Sequence, residues 1–271
     1  MQARASALPN PNRVGVLAAA VLLTYALTRL VNAPAFTVAV QLPAFYLSYP
    51  ITLGTAMTIM AAGLTASGMD WLVHGHPAFQ TRATLEHWLL PALTALVLGV
   101  LLDSLPPGPV WWAGFAIGGI LLVSVFLAEY VAVDPGAPLY ALASAGLTAL
   151  SYTLFLLFII ALQIADVRLF LLIPGVFLAT SLVTLRTLRL RSGGRWDFPW
   201  ALGVGFISSQ LAAPLHYWPL TPLQMGLVLL GPLYALTSLA YSLSQDIPFA
   251  SAFVEPAVIL GGLWIAAVFL R

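Results

Sequence analysis

The chain has no cysteine and no lysine, and only 7% of its 271 residues are charged. Each scarcity excludes something. Without cysteine there are no disulfides, thiolate metal sites, cysteine nucleophiles, thioether-linked haem or iron–sulfur ligation. Without lysine no Schiff base can form, so a retinal-type pigment is excluded. Soluble domains carry about 25% charged residues, and this chain cannot coat a water-facing surface. An ordinary soluble enzyme, a nucleic-acid binder and a disordered regulator are therefore excluded. The formal net charge is +1, too small to mark a nucleic-acid or other electrostatic partner.

What the chain has in abundance is apolar sequence: 61% of residues are hydrophobic and the mean hydropathy is +0.98. A hydrocarbon core of ~30 Å needs about 20 apolar residues per helix. Cutting the apolar runs at Pro, Gly and charge clusters leaves nine candidate spans, near 14–32, 51–73, 85–104, 109–131, 138–165, 168–190, 198–217, 221–245 and 249–270. Backbone groups in lipid must bond internally, so these runs predict helices. The expected fold is an all-α polytopic transmembrane bundle, with residues 1–13 as an N-terminal tail and 14–271 as one transmembrane domain. Ala33-Pro34-Ala35 resembles a cleavage site, but the run before it is long and carries Arg29, so it reads as a retained anchor.

Residues 33–50 differ from the spans. Weak alternation, Pro43 and Pro50, and the tyrosines Tyr46 and Tyr49 predict an extended hairpin or re-entrant segment at the membrane interface, or else a structured loop. With the N-terminus cytoplasmic, Arg4, Arg13, Arg82, Arg186, Arg189, Arg191 and Arg195 fall inside and Arg29, Arg168 and Arg271 outside. This positive-inside bias sets the expected orientation in the cell membrane.

The sequence also resembles itself at an offset of 143 residues (235 − 92). Ala92 to Leu96 lies on Ala235 to Leu239, Asp103 on Asp246 and Gly118-Gly119 on Gly261-Gly262. A shift of five helices predicts an inverted repeat joined by a linker helix, a transporter device. Gly203-x-Gly205 and Gly231-Pro232 read as helix-packing surfaces or as helix breaks lining a cavity. Ala143-Ser144-Ala145-Gly146 lacks the leading glycine and the depth-matched histidine of an intramembrane serine nucleophile, and is rejected as one.

Ionisable groups inside spans are costly, so their placement is informative. None falls near a span's middle, and most gather on the side assigned as cytoplasmic. Asp70 and His74 share one helix face at i, i+4. Asp70 lies about 6 Å deeper than His74. A short loop brings His87, at the start of the next span, toward them. Asp70, His74 and His87 are the expected ligands of a divalent metal. Asp70 and His74, with Glu129 from the end of the fourth span, are alternatively the expected acid–base residues.

Each of these residues also has a structural reading. Asp70 orients His74, Thr84 caps a helix, Glu86 sits in its first turn, and His76-Pro77 is a solvated loop. Glu129 opposes its helix dipole and calls for a cationic partner, with Arg82 the nearest choice. Arg186, Arg189 and Arg191 read as topology markers at the headgroups, and otherwise as a phosphate clamp. The expected function is binding or processing of a lipid or small apolar molecule at this acid/histidine cluster. The alternatives are a transporter for a neutral or hydrophobic solute and a non-catalytic subunit of a larger membrane complex.

Overall fold

In the computed structural model the described residues are 9–31, 36–42, 45–77, 79 and 85–270, with backbone alone described at 38–40, 42, 45–51, 85 and 86. The elements in order are α1 (Pro11–Leu30), β1 (Phe36–Leu42), β2 (Phe45–Ile51), α2 (Leu53–Val73), α3 (Leu85–Ser104), α4 (Pro109–Val131), α5 (Tyr140–Ile164), α6 (Leu169–Arg191), α7 (Phe198–His216), α8 (Pro222–Ser244), α9 (Phe249–Ala252) and α10 (Val254–Phe269). Eight segments among the described residues are long and apolar enough to cross a membrane, and the chain is a multi-pass helical membrane protein.

The seventh expected span, α7, is a helix but falls short of that apolarity, because Ser208, Ser209 and Gln210 interrupt it. Ser208 and Ser209 are buried, while Phe198, Leu202 and Phe206 form an exposed stripe at i, i+4, i+8. The last span is also not one helix. Pro256 has no N–H to donate to the Ala252 carbonyl, and the helix is interrupted at Phe253 between α9 and α10.

Local chemistry fixes the ends. The Asn10 side chain accepts a hydrogen bond from the Asn12 N–H and Pro11 occupies the first turn. The helix thus reaches back into the expected 1–13 tail, of which residues 1–8 lie outside the described residues. Thr221 and Gln224 form a reciprocal capping box on α8. Asp166 and Asp246 have φ of 47° and 58°, in the left-handed region, and end α5 and α8. Residues 36–42 and 45–51 form an antiparallel hairpin in which Phe36 pairs with Ile51 and Leu42 with Phe45. The expected side-chain roles of Tyr46 and Tyr49 fall outside the described residues.

The expected single transmembrane domain consists of two compact units, 1–143 and 144–271. In unit 1, α1 to α4 pack around Val21, Ala61, Met69, Leu72, Leu122 and Phe126. The Tyr25 hydroxyl donates to the Ala95 carbonyl and ties α1 to α3. In unit 2, α8 packs against α6, α7 and α10, over a core including Phe155, Ile159, Val176, Leu229 and Leu233. Helix α5 supplies Phe155 and Ile159 to that core.

Hydrocarbon gives helices no hydrophobic reason to associate, so small residues that allow close approach do much of the work. A Cβ on Gly118 would meet Leu98 at 3.2 Å, one on Gly119 would meet Leu22 at 3.1 Å, and one on Gly205 would lie 2.0 Å from the Ser181 hydroxyl. Gly231-Pro232 sits inside continuous α8, so it packs and does not break the helix. A Cβ on Gly261 or Gly262, the positions that match Gly118 and Gly119 in the sequence self-similarity, would meet nothing within 4 Å. Most tryptophans lie exposed near helix ends, as an aromatic belt requires. Trp111 departs from that pattern: it is buried under the Arg29 guanidinium, 5.2 Å from the ring centre.

Candidate functional site

Consecutive antiparallel helices bring the start of α1, the end of α2, the start of α3 and the end of α4 to one end of unit 1. His87 is the third residue of α3, and Glu129 lies two residues before the end of α4. Their side chains meet: His87 Nδ1 is 3.1 Å from Glu129 Oε2. Both are buried, Glu129 completely. The Glu129–Arg82 pairing expected from the sequence involves Arg82, which with Thr84 and the Glu86 side chain lies outside the described residues.

Asp70 and His74 form a second, exposed pair. His74 caps α2, and its Nδ1 lies 2.7 Å from the Asp70 carbonyl and 3.5 Å from the Asp70 carboxylate. An Nδ1–H donated to that carbonyl leaves Nε2 as the basic nitrogen, turned outward. The His74 ring also sits 4.8 Å from Phe79.

His76 is not the solvated loop residue that the sequence predicts. The His76 N–H bonds to the Val73 carbonyl, and the Phe79 N–H bonds to the His76 carbonyl. These turns tuck the imidazole inward, where it is 8% exposed and edge-on to Tyr130 at 4.6 Å. Burial holds His76 below the ordinary histidine value; the Asp134 carboxylate opposes this and neighbouring His87 reinforces it. Arg13, in the first turn of α1, places its guanidinium 4.9 Å from the Trp71 ring and acts electrostatically on Tyr130.

The expected site residues therefore gather as two pairs, Asp70–His74 and His87–Glu129, with His76, Tyr130 and Arg13 as neighbours that the sequence reading did not assign to the site. The proposed metal set is corrected. Among the described residues no three or more His, Asp or Glu are grouped to hold a metal ion, so Asp70, His74 and His87 do not fit one. The reason is directional: Asp70 and His74 face outward from the end of α2, whereas His87 turns inward to α4.

The arginine cluster of α6 also separates. Arg186 is buried, Arg189 lies 4.3 Å from the Trp196 ring and donates to the Gly194 carbonyl, and Arg191 lies 5.8 Å from the Tyr241 ring. Arg186 and Arg189, three residues apart, are neighbours on the helix surface, while Arg191 lies on a different face.

No curated protein and no solved structure matches the chain. One family model does, that of the proteins of unknown function designated DUF5656, over residues 32–270. The chain belongs to that family.

Proposed function

We propose that this multi-pass protein resides in the cell membrane and binds or processes a lipid or other small apolar molecule at the acid/histidine end of unit 1. The arginine distribution supports placing that end at the cytoplasmic face. The observation that carries the reading is the His87–Glu129 pair, an imidazole and a carboxylate in contact and enclosed by apolar helices. Groups so costly to bury at a membrane boundary are characteristic of working sites. Exposed His74, its Nδ1 tied to the Asp70 carbonyl, supplies a base that a molecule arriving from the membrane surface can reach. Asp70 assists it, and Glu129 acts through the buried pair.

The test uses purified protein reconstituted with a labelled total lipid extract, with bound and converted species read by native mass spectrometry. Asp70→Ala and His74→Ala are expected to lose the bound or converted species that the wild type shows. Unchanged profiles in both variants overturn the reading.

A second reading, a transporter of a neutral or hydrophobic solute, has its own support in unit 2. Thr180, Ser181, Thr187 and Ser208 are buried with hydroxyl oxygens that have no hydrogen-bond partner, so a polar seam runs along α6 and α7. Solute uptake into proteoliposomes that is lost in Ser208→Val distinguishes this reading, since Ser208 is remote in sequence from the histidine end.

A further inference from the structure

Unit 2 contains a cavity of about 460 Å³ that the site in unit 1 does not use. One wall is a single face of α5: Ser144, Ala145, Thr148, Ala149 and Tyr152, at i, i+1, i+4, i+5 and i+8. Eight residues at 1.5 Å each make this wall about 12 Å deep. The opposite side is lined by Leu190 and Arg191, in the last turn of α6, and by Tyr234 of α8.

The chemistry of the lining is one-sided. Among the described residues Arg191 is its charged lining residue, and no acid lines it. Glu255 stays behind Tyr234, whose hydroxyl donates to Glu255 Oε1 at 2.6 Å. The Arg191 guanidinium acts electrostatically on the hydroxyls of both Tyr152 and Tyr234. At the deep end the Tyr152 hydroxyl lies close to those of Thr187 and Thr237 without completing a hydrogen bond to either. Thr237 is already engaged with Thr184, at 3.1 Å. A buried hydroxyl with no partner destabilises the fold until a ligand or water supplies one. A fixed cation, an unsatisfied O–H donor and apolar walls at Ala145, Ala149 and Leu190 therefore share one space.

We infer that this cavity binds an amphiphile with an anionic head, a phosphate or carboxylate, held by Arg191. The Tyr152 hydroxyl donates to the head, and the start of the chain lies along Ala145, Ala149 and Leu190. A planar guanidinium pairs with such oxyanions through two parallel N–H bonds. The site is independent of the acid/histidine end of unit 1.

The experiment is equilibrium binding of radiolabelled dodecyl phosphate to the full chain in phosphatidylcholine nanodiscs, with empty nanodiscs subtracted. Saturable binding at one site per chain is expected. Laurate should compete, dodecanol should not, and inorganic phosphate should fail at concentrations where dodecyl phosphate saturates. Arg191→Gln should weaken binding at least about tenfold, the loss of a charge-assisted pair. Tyr152→Phe should weaken it about threefold or more, and because the hydroxyl has no partner this variant should fold as the wild type does. Asp70→Ala and His74→Ala should leave it unchanged, which separates this site from the one in unit 1. Wild-type affinity in both Arg191→Gln and Tyr152→Phe, or equal competition by dodecanol, overturns the inference. Displacement by inorganic phosphate as potent as that by dodecyl phosphate overturns the amphiphile and leaves a free oxyanion as the ligand.

Discussion

The His87–Glu129 pair makes the sharpest energetic prediction. Glu129 is fully enclosed and His87 nearly so, with 3.1 Å between Nδ1 and Oε2. Removing one partner of a buried, hydrogen-bonded pair costs about 3–5 kcal/mol. Replacing both by apolar residues of similar volume is often close to neutral. Glu129→Leu and His87→Leu should therefore each destabilise strongly, while the double variant should be no worse than the milder single one. The coupling energy, the sum of the two single losses minus the double loss, should reach at least about 1.5 kcal/mol. Unfolding titrations with SDS in mixed micelles, read by tryptophan fluorescence, would measure all four proteins. Additivity to within about 0.5 kcal/mol would refute a direct interaction between the two residues. A double variant that is stable yet binds no lipid would separate the pair's role at the site from its role in folding.

Three further outcomes follow from the packing. His76 is held below its ordinary value by burial, so the unfolded chain takes up a proton more readily than the folded one. Stability should fall as pH drops below about 6.5 toward the lowered folded value, and the loss should then level off. His76→Phe keeps an aromatic ring against Tyr130 and should flatten that part of a melting-temperature profile between pH 7.5 and 5; a profile superimposable on the wild type's would disprove the assignment. Gly205→Ala drives a methyl group into Ser181 Oγ and toward the Phe177 carbonyl. It should cost about 1–3 kcal/mol in the same SDS titration, partly recovered by adding Ser181→Gly, and no loss would contradict the close α6–α7 approach. Tyr25→Phe removes the α1–α3 tie and should cost about 0.6–1.7 kcal/mol, the range of interhelical hydrogen bonds in membranes; a loss above 3 kcal/mol would point to a larger role for Tyr25.

The helices were legible because lipid imposes one strong rule on the backbone, and a run such as 109–131 obeys it without interruption. The break at Phe253 was hidden inside the expected span 249–270, whose apolar run continues across it. The Asp70–His74 pair was legible because i, i+4 spacing is a local property. The His87–Glu129 pair joins positions 42 residues apart, and no periodicity encodes which face of α3 turns to α4. Burial of His76 was hidden for a similar reason. The sequence marks a turn after α2, but the turn's path decides whether the ring meets water or Tyr130. In the α6 arginines, helical spacing was read as shared purpose, whereas a 100° step per residue sends Arg186 inward and Arg191 toward the cavity.

The β1–β2 ribbon carries a consequence for how deep the molecule sits. Two strands pair along one seam, so each has an outer edge of N–H and C=O groups with no ladder partner. Hydrocarbon offers such groups nothing, at several kcal/mol apiece. The ribbon is therefore expected at the level of water or lipid headgroups, and the incoming end of α2, which follows it directly at Thr52, is expected at that same waterline.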